Sequence, residues 1–165
     1  MTKVKDKNKN KKNYISHGVV SENRKARFNY EILETLEAGV VLTGTEVKSL
    51  RLGKCNIKDA YAVPENMELF LYNSVIHAYL QGANNKSHDP GRKRKLLLHK
   101  KQIHKLNAVF NDKNSTIVPL KMYFNDKGRA KILLGIGKGK KLYDKRETIK
   151  KRDADRETRR IMKNS

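Results

Sequence analysis

The clearest pattern in the chain is a period of two near its centre. Val118, Leu120, Met122 and Phe124 alternate with polar residues, Asn125-Asp126-Lys127-Gly128 interrupts, and Ala130, Ile132, Leu134 and Ile136 alternate back. One buried face per strand produces that period, and a glycine able to adopt left-handed backbone angles closes the turn, so the pattern predicts a β-hairpin. Phe28, Tyr30 and Ile32 alternate likewise, and the run through Leu33 and Leu36 to Gly39, resumed by Val40, Val41 and Leu42, predicts a first strand. Ile57 to Val63 and Leu69 to Ile76 read as two more strands, turned by Pro64-Glu65-Asn66. Helical spacing occurs twice. Thr43-Gly44-Thr45-Glu46 has the capping-box form, in which hydroxyl and carboxylate satisfy opposite free amides, and Val47, Leu50 and Gly53 follow. Ile103, Leu106 and Phe110 predict an amphipathic helix over 100–110 that covers one opening of the sheet. Residues 81–95 read as a polar, basic loop.

Five to seven short strands, mostly joined as hairpins, with two short helices in about 110 residues, predict a mainly β fold. A small antiparallel barrel of OB type, closed or nearly so, satisfies the pattern. The predicted body covers 15–137. Residues 1–14 hold six Lys, one Asp and only Val4 as a branched aliphatic, too little to offset the entropy of ordering, so they are expected to be a disordered basic arm. Residues 138–165 hold twelve Lys and Arg among a few apolar positions, a segment able to become a helix but not to pack alone.

Charge turns this outline toward a partner. The formal net charge is +21 over 165 residues, and apolar residues make up only 37% of the chain, with no Trp. Such an excess raises self-repulsion unless a polyanion neutralises it, which points to nucleic acid. RNA is preferred over duplex DNA, since there is no recognition-helix motif or zinc finger and a barrel with basic arms suits shaped RNA. The lone Cys55 can form no internal disulfide, and neither an apolar leader nor a membrane-length apolar run is present, so a reducing cytoplasm is the expected location.

Enzyme signatures are weak. Glu31, Glu34 and Glu37 do not share one strand face, His17, His77, His88, His99 and His104 form no ligand spacing beyond His88-Asp89, and Ser49 lacks an activating partner. The run Gly135-Ile-Gly-Lys-Gly-Lys-Lys lacks both the four-residue gap and the Ser/Thr of a phosphate loop. The expectation is a non-enzyme without metal or other cofactor. A structural ribosomal protein and a metal-dependent ribonuclease are the competing readings.

Five motifs in order make the reading specific: LEAG at 36–39, TEVKSLR with GKCNIKDAYA at 45–62, RKRKLLLHKKQI at 92–103, LLGIGKGKKLYDKR at 133–146 and IMK at 161–163. Together they resemble the SsrA-binding protein (small protein B, SmpB) family of bacteria, over roughly residues 15–163. The resemblance implies an OB-like barrel that binds the tRNA-like domain of transfer-messenger RNA and brings it to stalled ribosomes, with elongation factor Tu in the delivery complex and the chain acting as a monomer. It implies an RNA-binding face that includes Glu37, Leu97, His99 and Lys131, with Lys138, Lys140 and Lys141 meeting phosphates. Here His99 stands where the family often has Asn, and Tyr143 where it often has His; both substitutes keep part of the chemistry, helix capping and a π face respectively. The tail is implied to be unstructured when free and helical in the ribosomal decoding region and message channel. Gly137 and Gly139 would allow a bend there, Tyr143, Asp144, Lys145 and Arg146 would begin the helical part, and Ile161 and Met162 would be late apolar anchors.

Overall fold

A computed structural model describes residues 14–80, 87–112 and 114–164. The elements, in order, are β1 (Gly18–Glu22), α1 (Arg24–Asn29), β2 (Tyr30–Val40), α2 (Gly44–Arg51), β3 (Cys55–Asn56), β4 (Tyr61–Glu65), β5 (Glu68–Tyr72), β6 (Val75–Ile76), β7 (Arg94–Leu97), α3 (Lys100–Asn111), β8 (Ser115–Phe124), β9 (Ala130–Gly139) and α4 (Leu142–Asn164). Seven strands form one antiparallel sheet in the order β1-β8-β9-β2-β7-β5-β4, and β3 with β6 makes a separate two-stranded ribbon. The sheet curls until β4 lies against β8, with α3 packed on both, which gives the mainly β, barrel-like body.

The predicted β8–β9 hairpin is present, turned at Gly128 with φ +68°. Its alternation, however, does not mark one face. A bulge between Pro119 and Lys121 shifts the register, so Met122 and Phe124 enter the main core while Val118 and Leu120 face outward and are buried under Ala26 of α1. A matching bulge between Ile32 and Glu34 turns Ile32 toward that same outer cluster, whereas Leu36 and Ala38 belong to the main core. An extra residue inverts every side chain beyond it.

Other elements depart from the sequence reading. The segment before residue 30 holds a strand and a short helix rather than the start of β2. Asn23 caps α1 by accepting from the Ala26 N–H at 3.1 Å, and its amide donates to the carbonyls of Ile57 and Lys58. The predicted turn at Pro64-Glu65-Asn66 lies further on. Pro64 and Glu65 are still in β4, and Asn66 and Met67 make the turn with φ +48° and +61°. Residues 94–97, read partly as loop, are β7. The helices α2 and α3 form as expected, the first with the Thr43 N–H donating to Glu46 Oε2 at 2.7 Å and the second with the His99 N–H donating to Gln102 Oε1 at 3.0 Å.

The strand β9 extends to Gly139, past the predicted end of the barrel at 137. Beyond it, α4 is helical from Leu142 and touches the body mainly through α1, where the Arg152 guanidinium lies 5.4 Å from the Phe28 ring centre. The predicted N-terminal arm lies outside the described residues apart from Tyr14, and the body is anchored from Ile15, whose N–H donates to the Arg51 carbonyl.

Candidate RNA interface

Strands β7, β2, β9 and β8 present a run of outward side chains: Leu97 opposite Gly39, Gly39 opposite Lys131, and Lys131 opposite Tyr123. Glu37, two residues before Gly39, points to the same face. Its carboxylate accepts a short hydrogen bond from the Tyr123 hydroxyl and pairs with Lys131 Nζ at 3.0 Å. The Tyr123 bond, and then Lys131, hold the Glu37 carboxyl below the usual carboxylate range. Burial, reinforced by the bond to Glu37, pushes the Tyr123 phenol up to about 12. Glu37 is therefore an anion and Tyr123 a neutral donor throughout the neutral range. Between them the two fix a lysine on a strand paired along both edges.

Beside this triad an open groove of about 410 Å³ has an apolar floor that includes Val40, Leu42, Leu97 and Phe124, with Arg129 and Lys131 among its lining. Arg51 lies 4.9 Å from the Phe124 ring centre. Leu97 is 53% exposed. It stands upright there because Gly39 has no side chain: a Cβ at Gly39 would sit 3.3 Å from Leu97 Cβ. An apolar floor with cations on its lip suits an unstacked base whose phosphates lie toward the cations. Tyr123, Arg129 and Arg51 were not singled out from the sequence. Tyr123 was legible in principle, being an aromatic residue out of phase with the hairpin's apolar positions.

The expected site residues do not form one patch. Leu97 and Lys131 line the groove, Glu37 is paired with Lys131 beside it, and His99, two residues after Leu97, is the exposed N-cap of α3. Lys138, Lys140 and Lys141 are at the other end of β9, about 24 Å from Lys131 at the rise of an extended strand. There Lys138 Nζ lies 3.8 Å from Asp112, and the Lys140 ammonium donates to the Arg27 carbonyl at 3.3 Å. The Lys140 N–H also donates to the Asn29 carbonyl, extending the sheet edge by one bond.

The tail residues follow. Asp144 accepts from the Lys141 N–H at 3.2 Å and so caps α4, and Tyr143 is exposed beside a depression lined by Glu31, Lys140 and Lys151. Lys145 donates its N–H to the Lys141 carbonyl in the first turn, Arg146 is exposed, and Ile161 and Met162 are exposed near the helix end. Gly137 does not serve as a bend: a Cβ there would stand 2.6 Å from the Glu31 carbonyl oxygen, so the glycine allows β2 to approach closely at its bulge. Gly139 has open space around it.

The basic motif at 92–95 divides between two tasks. Arg94 is wholly buried, as is Glu46, and its guanidinium donates to Glu46 Oε1 at 3.0 Å, to Ser74 and to the Pro90 carbonyl. Arg92 adds a second pair of bonds to Glu46. Burial favours the neutral acid at Glu46, but hydrogen bonds from Arg92 and the Thr43 N–H, with the Arg94 charge, outweigh it and hold the carboxyl below its ordinary value. This pair ties α2 to β7 and sets the strand that carries Leu97. The histidine candidate His88 is also structural, with Nε2 at 2.9 Å from the Ile76 carbonyl and Nδ1 at 3.0 Å from the Thr45 hydroxyl. Ser49 donates to the His77 carbonyl. Of the acids on β2, Glu34 pairs with Lys105 and Glu37 with Lys131, so the two carboxylates are separately engaged. Among the described residues no helix is long and apolar enough to cross a membrane.

The chain is similar to known proteins. The family model described as SmpB protein matches residues 20–164. An SsrA-binding protein of Mesorhizobium japonicum is 59% identical over 144 residues, covering 87% of this chain and 90% of the relative. An SsrA-binding protein of Agrobacterium fabrum is 58% identical over 149 residues, covering 90% and 92%. A solved chain described under the words "tmRNA-SmpB: a journey to the center of the bacterial ribosome" superposes with a TM-score of 0.62 at 53% identity, covering 73% of this chain and 84% of that one. With nearly its whole body and tail matched, this chain belongs to the SmpB family.

Proposed function

We propose that this chain binds the tRNA-like domain of transfer-messenger RNA and carries it to stalled ribosomes for rescue and tagging of the nascent chain. The observation that carries the reading is the apolar groove beside the Glu37–Tyr123–Lys131 triad, in a chain whose relatives are SsrA-binding proteins. The triad presents one oriented cation and the groove receives a base, while α4 leaves the far end of β9 as a basic rod of about 34 Å that makes few contacts with the body. In this reading α4 occupies the decoding site and message channel, where phosphates neutralise its cations and Tyr143 stacks; free of the ribosome, the tail orders weakly. The protein supplies geometry and no chemical step. It acts as a monomer in the cytoplasm, with elongation factor Tu in the delivered complex.

A truncation tests this division. Ending the chain after Lys141 removes α4 and keeps every hydrogen bond of β9 and the Lys140–Asn29 bond. The truncated protein is expected to bind a tRNA-like-domain transcript nearly as the whole chain does and to support no tagging in a reconstituted translation reaction. Retained tagging, or loss of RNA binding on truncation, would overturn the reading.

A further inference from the structure

The outer face of β4, β5 and β7 carries an aromatic column that the groove does not use. Tyr61 and Tyr72, directly opposite on β4 and β5, stack with ring centres 5.7 Å apart and planes 13° from parallel. Lys93 stands over the inner side of the column, 5.7 Å from the Tyr72 centre and 4.7 Å from that of Phe70. Glu65 locks that end, accepting from the Tyr72 hydroxyl and from Lys93 at 3.1 Å. The other end carries no further ring or cation among the described residues. Tyr61 is 41% exposed, on a strand whose far edge pairs with no other strand among the described residues.

A cross-strand tyrosine pair can serve the sheet alone. The asymmetry says more. The inner ring is held by a hydroxyl bond and capped by a cation, so its partner, stacked upon it, presents a π face on which no further ring or cation lies among the described residues. Fixed aromatic faces with cations behind them are how proteins hold unpaired bases, because stacking needs only the flat face every base has. The face lies on the same side of the sheet as Leu97: β7 pairs with β5 and β5 with β4, and the register places Tyr61 about 17 Å from Leu97. We infer that Tyr61 is a second RNA contact, a stacking platform for one unpaired nucleobase of the RNA that the groove grips. The inference rests on the RNA-binding reading and adds a site to it. Lys93 and Lys95 are paired with Glu65 and Glu68, so this face contributes stacking and little net charge.

The chain has no Trp, so Tyr61→Trp places a single emitting indole on the platform. Titrating that full-length variant with a transfer-messenger RNA transcript should quench its emission in step with binding measured separately by filter retention. Tyr61→Leu should weaken binding roughly 5- to 100-fold, the range one stacked base contributes, while its melting temperature falls by only a few degrees. Tyr61→Phe, which keeps the ring, should bind within about twofold of the parent, since stacking needs the face and not the hydroxyl. Unchanged emission on RNA that demonstrably binds, or unchanged affinity in Tyr61→Leu, sinks the platform and leaves the groove reading intact. Failure of the parent protein to bind the transcript would sink the groove reading itself.

Discussion

Gly39 and Leu97 face each other across the β2–β7 ladder so closely that one added methyl on Gly39 would meet Leu97 Cβ at 3.3 Å. Leu97 Cβ is fixed by its backbone, so the β2–β7 ladder must give by a few tenths of an ångström while the exposed end of Leu97 turns aside; alanine is not worse than glycine in a strand, so the fold should tolerate Gly39→Ala. The melting temperature is expected to change by no more than a few degrees while affinity for the tRNA-like domain drops several-fold, because Leu97 no longer stands in the groove. A large fall in melting temperature would mean that Leu97 supports the barrel rather than the RNA.

Reversing Lys131 should harm RNA binding more than neutralising Lys140. Lys131 is held by Glu37 on a strand paired on both sides, whereas Lys140 follows the last residue of that strand. Lys131→Glu is expected to lower affinity at least tenfold and Lys140→Ala by less than threefold, roughly the electrostatic share of one phosphate. Glu37→Ala should lower affinity with little change in melting temperature, since the triad is on the surface and an exposed ion pair contributes about 0–1 kcal/mol. Equal losses for Lys131→Glu and Lys140→Ala would mean that the groove is not the binding face.

Salt should report the number of phosphates engaged. If about five to eight are neutralised by the groove rim and the end of β9, the slope of log affinity against log salt is roughly −3 to −6. A flat response in a salt titration would remove phosphate contacts as the source of affinity.

Glu46 sets the acid limit of the fold. Removing the carboxylate leaves Arg94 buried without its anion, so Glu46→Gln should cost about 3–5 kcal/mol at pH 7 in urea unfolding. Because its folded pKa is depressed, the carboxylate stabilises fully above the ordinary value near 4.3, and that part is lost as pH falls through the folded pKa. The gap between parent and variant should therefore narrow below about pH 4. A gap independent of pH would show that the pair does not titrate with unfolding.

Two changes at buried positions test how tightly the body is packed. Ile132→Ala, in the main core and fully buried, should cost about 2–5 kcal/mol. Gly137→Ala adds a single methyl yet forces β2 and β9 apart at the Glu31 carbonyl, and about 3 kcal/mol is expected from such overpacking. Thermal or urea unfolding measures both, and a neutral Gly137→Ala would mean that the bulge yields.

What could be seen in the sequence follows the range of the interactions. The β8–β9 hairpin, α2 and α3 are written in neighbouring residues: alternation, a capping box, an apolar spacing. The helix α1 depends on Asn23, whose amide bonds to carbonyls of residues 57 and 58, far along the chain. The strand β7 hides because one of its two inward residues is Arg94, a charge that reads as loop until Glu46 is placed beside it. The alternation of residues 118–124 misled about faces, since nothing in it betrays the bulge at Pro119. In the interface, Glu37, Leu97 and Lys131 came from the motif resemblance and share one face, yet Tyr123 joins them only through strand register. The tail lysines, grouped with them in the sequence, belong to the opposite end of β9.

That strand acts as a measuring stick. Between Lys131 and Lys138 it is laced to β2 and β8 along both edges, so wherever RNA seats the groove, the root of α4 is carried to a set offset and heading. Side chains invert with every residue of a strand, so without a bulge of the kind in β2 and β8 the stick lengthens in two-residue steps of about 7 Å; a single regular insertion would turn the isoleucines beyond it outward and Lys138 to the other face. The reach from grip to tail is thus a discrete quantity, and any protein built on this plan inherits a graduated scale instead of a continuous one.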